Sequence, residues 1–111
     1  MGIQPDVEVC VVVTTDQIDR HTAPDFRAEL EDGIRRCEAA PDPSPELVVD
    51  LSQVTFFDSN GIRELIAAAG AVEGRGGRLV VRNAHGVVQR CLEVTGLLEH
   101  FGRASTNGSA P

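Results

Sequence analysis

The sequence has no tryptophan and no tyrosine, and only four phenylalanines, so aliphatic side chains must fill most of its core. No apolar run in it comes near the roughly 18 residues that a membrane-spanning helix requires. The N-terminus lacks the basic segment and apolar stretch of a secretory signal. These absences predict a cytoplasmic protein that does not insert into a membrane.

Positive charge is also scarce. Ten basic residues stand against seventeen acidic ones, which gives a formal net charge of −7. Nucleic acids and anionic lipids demand a basic surface, so the charge balance argues against direct binding to either. An acidic domain is instead steered towards a basic patch on a partner protein. At 111 residues the chain is long enough for one domain with a real core, but not for two.

Motifs of common enzyme classes are missing as well. The glycine-rich run 74–77 lacks the Lys-Ser/Thr of a phosphate-binding loop, and it follows a helical pattern where such a loop would precede one. There is no G-x-S-x-G or H-E-x-x-H motif. Asp50 and Asp58 could together hold Mg²⁺, but no further recognisable pattern accompanies them. We therefore predict no enzyme activity, no cofactor and no metal.

The three cysteines, Cys10, Cys37 and Cys91, are odd in number and lack metal-ligand spacing. Each falls within an apolar pattern, and free cysteine behaves as a small hydrophobic residue. Buried, inert thiols are the preferred prediction, and a regulatory disulfide remains the alternative.

Strand-like and helix-like patterns alternate along the chain. β-branched runs predict strands, and apolar residues at helical spacing predict helices. The predicted strands are Val7–Thr14, Leu47–Leu51 and Arg78–Arg82, and the predicted helices cover residues 22–39, 59–73 and 87–95. This order predicts an α/β fold with a mixed, mostly parallel sheet of about four strands, flanked by three to four helices.

The segments between these elements leave several finer predictions. Residues 54–57 either extend the second strand or begin a short separate one. Residues 16–20 are predicted to form a polar loop, and Thr22 to Asp25 a capping box at the start of the first helix. A last apolar piece around Leu97, Leu98 and Phe101 completes a single domain over residues 1–102, and residues 103–111 are predicted to be a disordered tail.

The segment Asp58-Ser59-Asn60-Gly61 is the most informative in the chain. It follows a predicted strand, and the apolar residues after it fall at helical spacing, which excludes the hairpin turn that Asn-Gly otherwise favours. Ser59 is therefore predicted to be the N-cap of the helix. A phosphate on it would meet the unpaired N–H groups and the positive dipole of the first turn. The simpler interpretation is an ordinary capping serine.

The stretch from Leu47 to Gly61, Leu-Val-Val-Asp-Leu-Ser-Gln-Val-Thr-Phe-Phe-Asp-Ser-Asn-Gly, resembles the signature of STAS domains, specifically of stand-alone anti-sigma factor antagonists. The strand at residues 78–83, the segment 88–101 and the loop at residues 17–24 are similar to the same family. The resemblance spans about nine-tenths of the chain.

That resemblance implies a function. Family members are bound by an anti-sigma factor that is also a serine kinase, are released when it phosphorylates them, and are reset by a phosphatase. Carried onto this chain, Ser59 is the phosphorylated residue, and the partner-binding set is Asp19, Asp58, Ser59, Asn60 and Gly61. A monomer or weak dimer is expected. A STAS scaffold or small-molecule-binding subunit that phosphorylation does not control is the alternative.

Overall fold

The computed structural model describes residues 8–40 and 45–97, which form five strands and three helices. The strands are β1 (Glu8–Val12), β2 (Gln17–Ile18), β3 (Glu46–Asp50), β4 (Phe56–Phe57) and β5 (Arg78–Arg82), and the helices are α1 (Ala23–Ala39), α2 (Ser59–Glu73) and α3 (Gly86–Val94). None of these helices is long and apolar enough to cross a membrane. The predictions for Leu98, Phe101 and the tail lie outside the described residues.

A parallel three-stranded sheet in the order β1-β3-β5 forms the centre of the fold. All three apolar residues of the central strand, Leu47, Val48 and Val49, are fully buried, which is typical of parallel strands that are covered on both faces. The predicted α/β fold class and parallel sheet are thus confirmed. The strands are divided differently, however, because β2 and β4 pair with each other in a separate two-stranded parallel sheet.

Helices α1 and α2 pack side by side on one face of the three-stranded sheet. Gly33 allows α1 to approach closely, since a Cβ atom there would clash with Val11 Cγ2 and lie 2.8 Å from Leu47 Cδ1. Arg27 of α1 and Glu64 of α2 join the two helices through paired contacts of 3.1 Å. Helix α3 lies elsewhere, against β4.

On the opposite face of the sheet, the prediction that all three cysteine thiols are buried fails. Cys10 alternates with the inward-facing valines of β1 and is exposed, so the prediction that this thiol is buried is wrong. The error follows from the position of β1, which pairs with β3 on one side of the described sheet, so that its outward residues are covered less than those of the central strand. Cys37 is buried and Cys91 is half-buried, and all three thiols are free.

The small β2–β4 sheet positions the start of α2. Phe57 of β4 meets Phe26 of α1 edge to face, with ring centroids 5.8 Å apart, and both rings are buried. Beside it, Ile18 of β2 is fully buried. The predicted polar loop 16–20 therefore contains a strand, and residues 56–57 belong to a separate strand rather than an extension of β3.

Candidate functional site

Asp58, and not Ser59, is the N-cap of α2. Its backbone is extended (φ −118°, ψ −166°), and its Oδ1 accepts hydrogen bonds from the backbone N–H of Asn60 at 2.8 Å and from Asn60 Nδ2 at 3.2 Å. Its carbonyl oxygen accepts from the N–H groups of Gly61 at 3.0 Å and Ile62 at 3.2 Å. The prediction of a Ser59 cap is wrong by one residue, because serine and aspartate are both favoured caps and here the carboxylate takes the role.

Ser59 is left as the first helical residue, with an exposed side chain. Within residues 8–40 and 45–97, no hydrogen bond engages its hydroxyl group. The hydroxyl therefore does not make the predicted capping bond, and it lies free at the surface. A free hydroxyl on a fixed turn is available to an incoming enzyme or partner.

Asp19 lies on the neighbouring turn. The carbonyl oxygen of Ile18, the residue before it, accepts a 3.2 Å hydrogen bond from the N–H of Asp58. The carboxylate of Asp19 accepts from the N–H groups of Thr22 at 3.1 Å and His21 at 2.8 Å. These bonds, chiefly the one from Thr22, hold the pKa of Asp19 below its usual value. The structure therefore brings two carboxylate-bearing turns together beside Ser59.

The hydroxyl of Thr22 belongs to the Asp19 turn and not to a capping box. It donates to the carbonyl oxygen of Gln17 at 2.7 Å and accepts from the N–H of Asp19 at 2.9 Å. Thr22 does stand before α1, but its side chain makes no capping bond, so the capping-box prediction is wrong. The predicted proline in the first turn of α1, Pro24, is present.

Gly61 allows the start of α2 to pack closely against strands β2 and β4. It is buried, and a Cβ atom there would lie 2.8 Å from Phe57 Cε1 and 3.0 Å from Ile18 Cγ2. Any side chain at this position would push the start of α2 away from β2 and β4. Gly61 therefore shapes the site through its backbone and presents no side chain to a partner.

Helix α3 borders the site on another side. Partial burial raises the pKa of the Cys91 thiol, and the negative charge of Asp58 raises it further. Helix α3 packs against β4, the strand that directly precedes Asp58. No spacing in the sequence indicates that Cys91 lies near the cap, because its position depends on how α3 packs against β4.

The two carboxylates considered for Mg²⁺ are engaged locally instead. Asp50 accepts from the N–H of Ser52 at 2.8 Å and from Asn83 Nδ2 at 3.2 Å. Partial burial raises the pKa of Asp50, but these bonds outweigh it, so the net pKa lies below the usual value. In the part of the chain that the structure describes, no group of three His, Cys, Asp or Glu side chains is arranged to hold a metal ion.

Comparison with known proteins shows which domain family the chain belongs to. A family model described as "Mlab, STAS domain" matches residues 1–101. The chain belongs to the STAS domain family. This confirms the resemblance that the sequence showed around residues 47–61.

Among curated proteins, this STAS domain is similar to the anti-sigma F factor antagonist of Paenibacillus polymyxa. The two are 26% identical over 105 residues, which cover 89% of this chain and 84% of the relative.

Solved structures with the same fold come from different kinds of protein. The anti-sigma factor antagonist SpoIIAA in its unphosphorylated form superposes with a TM-score of 0.62 at 18% identity, covering 86% of this chain and 78% of SpoIIAA. A sulfate transporter family protein from Wolinella succinogenes superposes with a TM-score of 0.67 at 16% identity, covering 92% of this chain and 77% of that protein. The murine anion transporter Slc26a9 gives 0.63 at 21% identity, covering 87% of this chain and only 15% of the transporter. At these identities the likeness shows the fold alone.

Proposed function

We propose that this STAS domain is an anti-sigma factor antagonist, which binds an anti-sigma factor with serine kinase activity and is released when Ser59 is phosphorylated. It would thereby regulate transcription that depends on the sigma factor. The observation that carries the proposal is the exposed, unengaged hydroxyl of Ser59 at the first position of α2. The likeness to the Paenibacillus polymyxa antagonist supports it.

The site fits a substrate serine better than a catalytic one. A nucleophilic serine of an enzyme needs a general base within hydrogen-bond reach, whereas in the described residues no hydrogen bond engages the Ser59 hydroxyl. In the proposed reaction, Ser59 Oγ bonds to the terminal phosphorus of a nucleoside triphosphate held by the partner. The hydroxyl proton passes to a base on that partner, and the nucleoside diphosphate leaves. The domain itself supplies no catalytic group.

Phosphorylation would act as an electrostatic switch. A phosphoserine carries about −1.5 to −2 charges at neutral pH. It would add to the carboxylates of Asp58 and Asp19, which already lie on the two adjoining turns. A partner surface that accommodates the neutral hydroxyl would meet a concentrated negative charge instead. Release then follows from repulsion and desolvation, and the fold need not rearrange.

The proposed partner surface comprises Asp19, Asp58, Ser59 and Asn60, with Gly61 setting its shape from below. Asn60 is held by its own bond to Asp58, so the turn is preorganised before any partner arrives. A phosphatase that removes the phosphate would reset the cycle. We place this cycle in the cytoplasm, with the domain acting as a monomer or weak dimer.

The first test is affinity capture from native lysate with two baits, Ser59→Ala and Ser59→Glu, analysed by mass spectrometry. The proposal expects a serine kinase of the anti-sigma class to be recovered with the alanine bait and lost with the glutamate bait. Recovery of the same proteins by both baits would contradict the switch.

The second test uses the recovered kinase with radiolabelled ATP. Label should enter the wild-type domain and be absent from Ser59→Ala. Ser52→Ala is the matched control, because Ser52 is also an exposed serine close to the end of a strand. Label that persists in the Ser59→Ala protein would place phosphorylation elsewhere and overturn the assignment.

A scaffold or small-molecule-binding subunit is the competing function. The family description, which names Mlab, favours it, and the same fold also occurs in transporter proteins. Under this function the captured proteins would be membrane-transport components, recovered equally by both baits. The capture experiment therefore separates the two functions directly.

A further inference from the structure

Arg63 stands one helical turn after Ser59 on the exposed side of α2. Residues four apart on a helix are neighbours, with about 5–6 Å between their Cβ atoms. Helical side chains also lean towards the N-terminus of the helix, so the side chain at i+4 reaches back to the residue at i. An anion at the first position and a cation at the second is the favourable order for such a pair.

The Arg63 guanidinium has no ion-pair partner among residues 8–40 and 45–97. All basic residues of the chain other than histidine are arginines, and Arg20 and Arg90 are the two further described arginines that have no ion pair among the described residues. Six other described arginines each lie within 3.5 Å of a carboxylate: Arg27, Arg35, Arg36, Arg75, Arg78 and Arg82. The cation next to Ser59 is thus left without a carboxylate although the chain as a whole is strongly acidic.

The helix end offers a phosphate little that is not already used. A phosphate at a helix N-terminus is normally held by the N–H groups of the first turn. Here Asp58 receives three N–H groups, from Asn60 through its carboxylate and from Gly61 and Ile62 through its carbonyl oxygen, so only the N–H of Ser59 itself has no acceptor among the described residues. A phosphate on Ser59 therefore needs another source of positive charge.

The other cationic or titratable nitrogen-bearing groups around the cap lie on other elements: Arg20 and His21 on the β2–α1 turn, and Arg90 on α3, whereas Arg63 is on the same helix as Ser59. The remaining titratable groups carry no positive charge or are already paired. Asp58 adjoins Ser59, and Asp19 lies on the β2–α1 turn that Ile18 ties to the cap. From α3, Cys91 feels the negative charge of Asp58. On the flank facing α1, Glu64 is already paired with Arg27.

We propose that Arg63 is the intramolecular counter-ion of phosphorylated Ser59. This proposal rests on the function proposed above. The guanidinium folds back over the first turn of α2 and binds two phosphate oxygens, a geometry that its planar fork suits. The pair stabilises the phosphorylated form on an unchanged helix. It also withdraws Arg63 from the surface that the kinase meets, so one modification alters two surface charges.

The test measures the second ionisation of the phosphate. Phosphoserine is incorporated at position 59 during translation, and the phosphorus resonance is followed through a pH titration by ³¹P NMR. A neighbouring guanidinium favours the dianion and lowers this pKa. We expect it to lie about half a unit or more lower in the wild-type domain than in Arg63→Gln.

Two further variants make the outcome specific. Arg35→Gln removes one positive charge from α1, at a position about 18 Å along that helix from its first residue. The phosphate on Ser59 should have the same pKa in this variant as in the wild type. Arg63→Lys keeps the positive charge but lacks the planar guanidinium. Its phosphate pKa should lie between those of the wild type and Arg63→Gln. Circular dichroism of each variant checks that it is folded. Equal pKa values in the wild type and Arg63→Gln would overturn the proposal.

This experiment does not need the kinase, because translation supplies the phosphate. A failed search for a kinase would therefore count against the proposed function and leave the Arg63 result standing. Conversely, a domain that is phosphorylated on Ser59 but shows no Arg63 effect would retain the function and lose the counter-ion.

Discussion

The N–H group of Asp58 donates a hydrogen bond of 3.2 Å to the carbonyl oxygen of Ile18. This bond joins the cap of α2 to β2, and so brings the turn that carries Asp19 beside Ser59. It continues the parallel pairing of Ile18 with Phe57, the residue before Asp58. The small β2–β4 sheet is therefore the support that holds the two halves of the candidate site together.

The assignment of the cap predicts unequal effects of two neighbouring substitutions. Asp58→Ala should lower the free energy of unfolding by about 1 kcal/mol, because the N–H of Asn60 loses its acceptor. Ser59→Ala should change it by less than about 0.5 kcal/mol, since the hydroxyl is exposed and caps nothing. Urea unfolding followed by far-ultraviolet circular dichroism measures both. A cost for Ser59→Ala as large as that for Asp58→Ala would show that serine is the cap.

Two glycines of α2 should respond in opposite directions to the same change. Gly61→Ala should destabilise the domain by about 1–3 kcal/mol, because its Cβ atom would lie 2.8 Å from the Phe57 ring. Gly70→Ala should stabilise it by up to about 1 kcal/mol, since a Cβ atom there meets nothing within 4 Å and alanine favours the helix. Denaturant midpoints of the two variants give the comparison. Equal losses in both would exclude close packing at Gly61 as the cause.

Asp19 should make stability depend on pH in the acid range. Its native pKa is lowered from 3.8, mainly by the N–H of Thr22. The folded state thus binds the proton less readily than the unfolded state does. The stabilisation is fully present above the unfolded pKa of about 4, and is lost as the pH falls through the native pKa. Asp19→Asn should therefore be less stable than the wild type at neutral pH.

Unfolding midpoints measured from pH 3 to pH 7 check this sign. The wild type should lose more stability than Asp19→Asn as the pH falls through the acid range. Some dependence should persist in the variant, because the pKa of Asp50 is also lowered. Parallel curves for the two proteins would contradict the assigned role of Asp19.

The three thiols should react at distinct rates with a disulfide reagent such as dithionitrobenzoate. Cys10 is exposed and should react first. Cys37 is buried, and burial raises the pKa of its thiol, so it should react last. Cys91 should be intermediate. The Cys10→Ser variant should lack the fast phase, and a fast phase that survives in it would contradict the assignment.

The long elements could be predicted from the sequence because each carries a clear period. Helix α2 was predicted at residues 59–73, where the structure has it, and strand β5 likewise at residues 78–82. Strands β2 and β4 were harder, because two residues are too few to show alternation. Their pairing becomes visible only when the chain is folded.

The site was predicted in outline but not in its bonding. The sequence indicates that a helix begins near Ser59, yet it does not decide which of two adjacent capping residues accepts the hydrogen bond. It also does not show that Arg63 is unpaired. That property depends on which carboxylates the fold brings near, and Arg27 finds Glu64 on another helix.

The parallel pairing of the strands has a consequence for how the domain folds. Each strand pair joins segments that lie roughly thirty to forty residues apart along the chain. No pair can therefore form until a long connection has closed, and closing it costs chain entropy before any contact repays it. Folding should accordingly be slower than that of a helical bundle of the same length. The sheet and the turn that carries Ser59 should form in one late, cooperative step.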